Sequence, residues 1–89
     1  MKKRKSEKRR INEAVDRFAA EMKEALHAKR QDGWTGWRSE SFVGSGECAW
    51  DMVLHALRVL RGNNSQAVDV ANYAMFIYQH ECEKEGTKQ

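Results

Sequence analysis

The stretch from residue 69 to residue 78, DVANYAMFIY, decides the fold class of this chain. Its apolar side chains recur with the 3.6-residue period of an α-helix. One apolar face of this helix consists of Ala67, Ala71, Ala74, Met75 and Tyr78. A second stripe carries Asp69, Asn72 and Phe76, so a carboxylate and a carboxamide project together from an otherwise apolar helix. The carboxylate needs a partner, because an unpaired charge in a low-dielectric site is costly.

Two more segments have the same helical period. Residues 7–30 form a long amphipathic helix, which should end at a turn over Asp32 and Gly33. Its apolar stripe consists of Ile11, Ala14, Val15, Phe18, Met22, Ala25 and Leu26. Residues 47–61 form a second helix. Its predicted buried stripe consists of Ala49, Val53, Ala56, Leu57 and Leu60, widened by Trp50 and Leu54. With a third helix over 66–83 and no period-two run, the sequence predicts an all-α fold of three main helices.

The segment 31–46 is rich in glycine and carries three large aromatic residues, Trp34, Trp37 and Phe42. Large aromatic side chains are rarely left free in water, so we expect them to pack over one end of the helical core. The alternative is a functional surface. Trp34 and Trp37 would then stack on a nucleobase or dock a protein partner.

Charge is concentrated at the start of the chain. The 89 residues have a formal net charge of +3, but residues 2–10 hold seven Lys or Arg and one Glu, which leaves the rest mildly acidic. Such a run can bind phosphates by releasing counterions, although no aromatic residue is interleaved for stacking on single strands. The alternative is a solvated helix start. The candidate contacts to nucleic acid or to an acidic partner are Lys2, Lys3, Arg4, Lys5, Arg9 and Arg10.

The length predicts one domain. We expect a basic tip over residues 1–10, a helical domain over 11–83 and a disordered tail over 84–89. No run approaches the ~20 apolar residues of a membrane span, and the basic start lacks the apolar segment of a secretory signal. Cys48 and Cys82 lie far apart, which favours reduced thiols in a cytoplasmic protein over a disulfide or a metal role.

The third helix resembles that of the MazG-like all-α nucleoside triphosphate pyrophosphohydrolases, in particular their small phage and bacterial members. Those helices carry Glu-x-x-Asp followed by Val-Ala-Asn, and Asp69, Val70, Ala71 and Asn72 match the second half of this pattern. A weaker match covers Phe18 to Leu26 and the Asp-Gly-Trp at residues 32–34. The resemblance extends over residues 15–81 and implies that two chains pair into a helical bundle.

The chain departs from the family at the residues that hold Mg²⁺. Gln66 stands where the third helix needs a glutamate, and a neutral amide is a poor ligand for a hard cation. The second helix has no Glu-x-x-Glu, since Asp51 is followed three residues later by Leu54. Asp69, Asp51 and Glu47 are the remaining candidate metal ligands. The stripe of Glu47, Asp51 and His55 could bind a metal, or it could be the solvated side of the helix.

We therefore expect a non-catalytic MazG-like binding or regulatory protein, such as a phage effector that acts on a host protein or on a nucleotide. Gln66 and Asn72 would then contact the ligand or partner, and Asp69 would be structural, bonded to a donor such as Trp50 or an arginine. One alternative is a Mg²⁺-dependent pyrophosphohydrolase. Another is a nucleic-acid-binding protein that uses its basic tip. A homodimer is expected in each case, because a short chain with wide apolar stripes cannot bury enough apolar surface by itself.

Overall fold

The computed structural model describes residues 4–84 and contains three long helices. They are α1 (Glu7–Gln31), α2 (Glu47–Leu60) and α3 (Ala67–Lys84). No strand occurs within residues 4–84, so the predicted all-α class with three main helices is confirmed. The predicted bounds differ from these by one residue at most. Gln66 falls in a short 3₁₀ helix, Asn64–Gln66, that leads into α3.

Local sequence signals set the helix ends. The Ser6 hydroxyl caps α1 by accepting a hydrogen bond from the Arg9 amide at 3.1 Å. Gly33 and Gly62, which follow α1 and α2, have φ of +94° and +105°, a backbone conformation that glycine adopts without strain. The predicted turn over Asp32 and Gly33 is therefore present.

The aromatic segment between α1 and α2 is partly helical. It contains a 3₁₀ helix over Gly36–Arg38 and a π-helical turn over Glu40–Gly44, where a loop was predicted. Trp34 and Trp37 pack on Phe76 of α3, with ring centroids 5.7 and 5.5 Å away. These aromatic rings cover a small core made of Val43, Cys48 and Phe76. The prediction that these aromatic residues pack over one end of the helical core is therefore confirmed.

The orientation of α2 contradicts the sequence prediction. Its predicted buried stripe lies on the outside, with Val53 and Leu57 each 45% exposed and Leu60 80% exposed. The side of α2 that faces α3 instead carries Cys48 and His55, which belong to a more polar stripe. Helical periodicity identified the apolar stripe of α2 correctly. It could not show that the opposite stripe contacts α3.

The helices form an open layer. Both α1 and α2 pack on α3, whereas no Cα atom of α1 lies within 8 Å of a Cα atom of α2. The radius of gyration is 15.8 Å, compared with about 12 Å for a compact chain of this length. The layer therefore leaves a wide apolar surface in contact with solvent.

The first turns of α1 extend beyond the rest of the layer. Asn72 of α3 contacts Met22 of α1, and Met75 lies beside a cavity together with Leu26, so the two helices run parallel. At 1.5 Å per residue, the start of α3 at Ala67 is level with about residue 17 of α1. We call residues 7–16 the α1 overhang.

Candidate functional site

A polar cluster centred on His55 joins α2 to α3. The His55 Nδ1 atom lies 2.5 Å from Gln66 Oε1, and its Nε2 atom lies 3.3 Å from the Tyr73 hydroxyl. Because the amide oxygen of Gln66 accepts only, His55 Nδ1 donates the hydrogen bond in this contact. The imidazole therefore bridges Gln66 and Tyr73.

Asp69 belongs to the same cluster. Its Oδ2 atom lies 3.7 Å from His55 Nδ1, and both side chains are partly shielded from solvent. The guanidinium of Arg58 lies 3.4 Å from the same imidazole nitrogen. The structural partner of Asp69 is therefore His55. The predicted donor Trp50 is 65% exposed on the other side of α2.

Burial and nearby carboxylates shift two acidic protons in this region. Burial raises the pKa of the Cys48 thiol from 9.0 to about 11, and the charge of Asp51 adds to the effect. Burial also raises the pKa of Tyr73, with smaller contributions from Asp51 and Asp69. At neutral pH both groups are protonated, so neither supplies a nucleophile.

The three candidate metal ligands are not gathered into one site. Asp51 of α2 and Asp69 of α3 are both partly buried, and Glu47 is exposed in the first turn of α2. Within residues 4–84, no group of three His, Cys, Asp or Glu side chains is placed to hold a metal ion. The cluster around His55 links the two helices through its contacts to Gln66 and Tyr73.

A second feature is the apolar surface of the layer. A groove of about 410 Å³ runs between α1 and α2 with α3 as its floor. It is lined by Phe18, Ala56, Val59, Ala67, Val70, Ala71 and Ala74. On α2, the groove continues into an outer stripe that consists of Trp50, Val53, Leu54, Leu57 and Leu60, all exposed.

No family model, no curated protein and no solved structure matches this chain. The resemblance to the MazG-like enzymes therefore stays an expectation that depends on the residues quoted above. The functional assignment has to come from the geometry of the described residues.

Asn72 and Gln66, the candidate ligand contacts of α3, are both engaged inside the protein. Asn72 is only 3% exposed, and its amide donates a hydrogen bond to the Met22 carbonyl at 3.4 Å. Its Oδ1 atom is buried without a hydrogen-bond partner among the described residues. Gln66 is bonded to His55. Neither side chain is presented to a ligand in this conformation.

The aromatic candidates have one side against the core and the other toward solvent. Trp34 and Trp37 line a cavity of about 260 Å³ together with Leu26, Arg30 and Met75. Lys29 and Arg38 lie over the two indole rings, each 5.7 Å from a ring centroid. Cationic side chains therefore cover part of the ring faces that the predicted stacking on a nucleobase would use.

The basic tip is partly neutralised by α1 itself. Lys5 and Arg9 both contact the Glu13 carboxylate, at 2.8 and 3.1 Å. Their hydrogen bonds hold the pKa of Glu13 below its usual value, with Lys5 the larger cause. Arg4 and Arg10 are exposed on the same helix end, whereas Lys2 and Lys3 lie outside the described residues.

Sequence reasoning missed the His55 cluster and the outward direction of the apolar stripe of α2. A signal for the cluster was present, since Gln66, Asp69 and Tyr73 form a polar stripe at i, i+3 and i+7. Cys48 and His55 lie on a matching stripe of α2. The two stripes are recognised as partners only once the contact between α2 and α3 is known.

Within residues 4–84, none of the helices combines the length and the apolar character that a bilayer span requires.

Proposed function

We propose that this chain is a non-catalytic helical binding or regulatory protein of the MazG-like type, which works through protein–protein contact and pairs as a homodimer. The observation that carries the proposal is the outward apolar stripe of α2. In the small phage members that the sequence resembles, such a protein would act as an effector on a host protein.

The exposed apolar area is large for an isolated chain of this size. Eight large apolar side chains on α1 and α2 are between 38% and 80% exposed. They are Ile11, Val15, Phe18, Trp50, Val53, Leu54, Leu57 and Leu60. Together they offer on the order of 800 Å², which is what one partner contributes to a standard protein–protein interface. The five on α2 lie along one helical stripe, and contiguous exposed apolar patches larger than a few hundred Å² mark interaction surfaces.

The donor set argues against magnesium-dependent hydrolysis. Gln66 and Asp69 occupy the two ligand positions of the third-helix pattern, and both are directed to His55. Mg²⁺ favours carboxylate oxygens in near-ideal octahedral geometry and dehydrates reluctantly. Gln66 supplies only a neutral amide oxygen, and the Asp69 carboxylate already lies beside an imidazole. The two side chains are therefore a weak ligand pair for Mg²⁺. The pyrophosphohydrolase alternative would need Asp69, Asp51 and Glu47 to be brought together.

Hydrolysis tests the catalytic side of the proposal. Purified protein incubated with Mg²⁺ and a panel of nucleoside triphosphates should release no pyrophosphate above the rate of a Glu47→Gln, Asp51→Asn, Asp69→Asn triple variant. Turnover at ordinary enzyme rates by the wild type, lost in a folded triple variant, would show instead that the chain is an enzyme.

Thermal unfolding tests the pairing. Because association stabilises only the folded state, the midpoint of unfolding of a homodimer rises with protein concentration. We expect such a rise for the wild type and a flat dependence for Leu57→Glu, which puts a charge in the outer stripe. Arg61→Glu, at the exposed end of α2, is the matched control. A midpoint independent of concentration in the wild type would contradict the homodimer.

A further inference from the structure

We propose that the groove of one copy is filled by the α1 overhang of a second copy, and that the exchange is reciprocal. This inference rests on the proposed homodimer and specifies how its two chains meet. The groove is lined in part by Ala56 and Val59 of α2 and lies beside the outer stripe of α2, so both surfaces belong to the interface between the two copies.

The α1 overhang is an apolar ridge that its own chain leaves uncovered. Ile11 and Val15 are 54% and 59% exposed, although they lie on the same stripe as Met22 and Leu26, which are partly buried against α3. Because α3 begins beside about residue 17 of α1, it does not reach the overhang and cannot cover these side chains. A helix of this length with one apolar side needs a second surface to cover it, because most helical stability in proteins comes from packing of the apolar face.

The groove matches the apolar ridge of the overhang in length, and it is a depression lined by small side chains where the ridge carries large ones. Ile11, Val15 and Phe18 are spaced i, i+4 and i+7, and so are Ala67, Ala71 and Ala74 on the groove floor. Each set spans about 10 Å along its helix axis. Large side chains on one helix pack well against small ones on the other, since the small residues let the two backbones approach. Val59 and Val70 extend the apolar contact on the α2 side.

Phe18 indicates where the symmetry axis lies. It follows Ile11 and Val15 on the same apolar stripe, just beyond the overhang, and it also lines the groove. In a two-fold interface the same patch is used by both subunits, so a residue shared by the donor and the acceptor surface lies near the axis. One Phe18 would then approach the other, and the two overhangs would point in opposite directions.

The charges are compatible with this arrangement. Residues 2–10 have a net charge of +6, from seven basic residues and one acidic residue, and the rest of the chain has −3. Overhangs that point away from each other keep the two basic tips apart. Contact between the two tips would instead be repulsive.

Cross-linking between singly substituted copies tests the exchange. Two preparations, one with Val15→Cys and one with Ala74→Cys, both in a Cys82→Ser background, are mixed, equilibrated and treated with a short bismaleimide. Buried Cys48 is left in place. We expect a covalent heterodimer that joins position 15 of one copy to position 74 of the other. Arg17→Cys, on the opposite side of the same helix, is the matched control and should give none.

Sedimentation of charge variants separates this inference from the proposed function. Val15→Asp should raise the dimer dissociation constant by about tenfold or more, whereas Arg17→Asp should leave it within about twofold. A dimer that forms with neither the cross-link nor the Val15→Asp effect overturns the exchange and leaves the homodimer standing. A wild type that is monomeric overturns both. Circular dichroism of each variant confirms that α1 is still helical.

Discussion

Cys48 is the most deeply buried side chain among the described residues, and its sulfur lies 3.5 Å from the carbonyl oxygen of Tyr73. The thiol therefore links α2 to α3 as a small apolar group with a weak donor. Tyr73 continues the contact outward to His55. At the residue scale, the interior of this layer depends on a few polar groups that are protonated and paired.

Alkaline pH should destabilise the protein through these groups. Because burial raises the pKa of Cys48 to about 11, above its ordinary value of 9.0, the folded state holds this proton more tightly than the unfolded state. The resulting stability is complete below pH 9 and is lost as the pH rises through 11. The expected loss is about 2 to 3 kcal/mol, and the raised pKa of Tyr73 acts in the same direction.

Urea unfolding at pH 8, 9, 10 and 11 would measure this loss. Cys48→Ala is the control, since it removes one of the titrating protons and should flatten the decline over this range. A Cys48→Ala variant that declines as steeply as the wild type would show that the thiol is not responsible.

Asn72 should be replaceable by leucine without loss of stability. Its Oδ1 atom is buried without a hydrogen-bond partner in the described part of the chain, and its one hydrogen bond, to the Met22 carbonyl, is long at 3.4 Å. Leaving a buried acceptor unsatisfied costs about 1 to 3 kcal/mol, whereas an apolar group of similar shape carries no such cost. The unfolding free energy of Asn72→Leu should therefore equal or exceed that of the wild type.

Asn72→Ala is the matched comparison for that experiment. It removes the same amide but leaves a cavity, so it should be destabilised relative to Asn72→Leu by about 2 kcal/mol or more. If Asn72→Leu were less stable than the wild type by more than about 1 kcal/mol, the carboxamide would be making a contribution that an apolar side chain does not replace.

At the scale of the elements, helix positions could be predicted from the sequence and helix orientations could not. The 3.6-residue period and the glycines at the turns are local signals, and they placed α1, α2 and α3 to within one residue. The orientation of α2 depends on a match between two helices. His55 finds its partners at Gln66 and Tyr73, and no property of the 47–61 segment alone reveals that contact.

In the candidate site too, single residues could be predicted from the sequence and their partners could not. Asp69 could be singled out from the sequence, because a carboxylate on an apolar helix requires a partner. The identity of that partner required the tertiary contact with His55. The apolar stripe of α2 could likewise be identified in the sequence, but its exposure follows from the packing of the opposite, more polar stripe.

The basic tip gives a prediction at the same scale. Deleting residues 2–5 keeps the Ser6 cap and α1 intact and removes four cations. Any affinity for duplex DNA should then fall, and the slope of log K against log salt should flatten by as much as about 3. Fluorescence anisotropy at several salt concentrations would measure both. Lys23→Gln, an exposed change on the body of α1, is the control. Equal slopes with and without residues 2–5 would show that the tip does not contact DNA and is only a solvated start of the helix.

At the scale of the whole molecule, the described chain has little interior of its own. Its buried apolar residues are Val43, Cys48 and Phe76, whereas its exposed large apolar residues include five on α2 alone. Chains this short rarely gain enough stability from one core, and association is a common remedy. The open layer, the groove and the α1 overhang are consistent with a chain that buries its exposed apolar side chains against a second copy.

Sedimentation equilibrium of the wild type at tens of micromolar, beside the Leu57→Glu variant, tests this central claim most directly. The chain has a mass of 10.3 kDa, so the account predicts twice that mass for the wild type. Leu57→Glu should shift toward the single-chain mass while keeping its helical circular dichroism. A wild type that sediments as a stable single chain at these concentrations, with a well-defined cooperative unfolding transition, would contradict the claim that the outward face of α2 is an interface between copies.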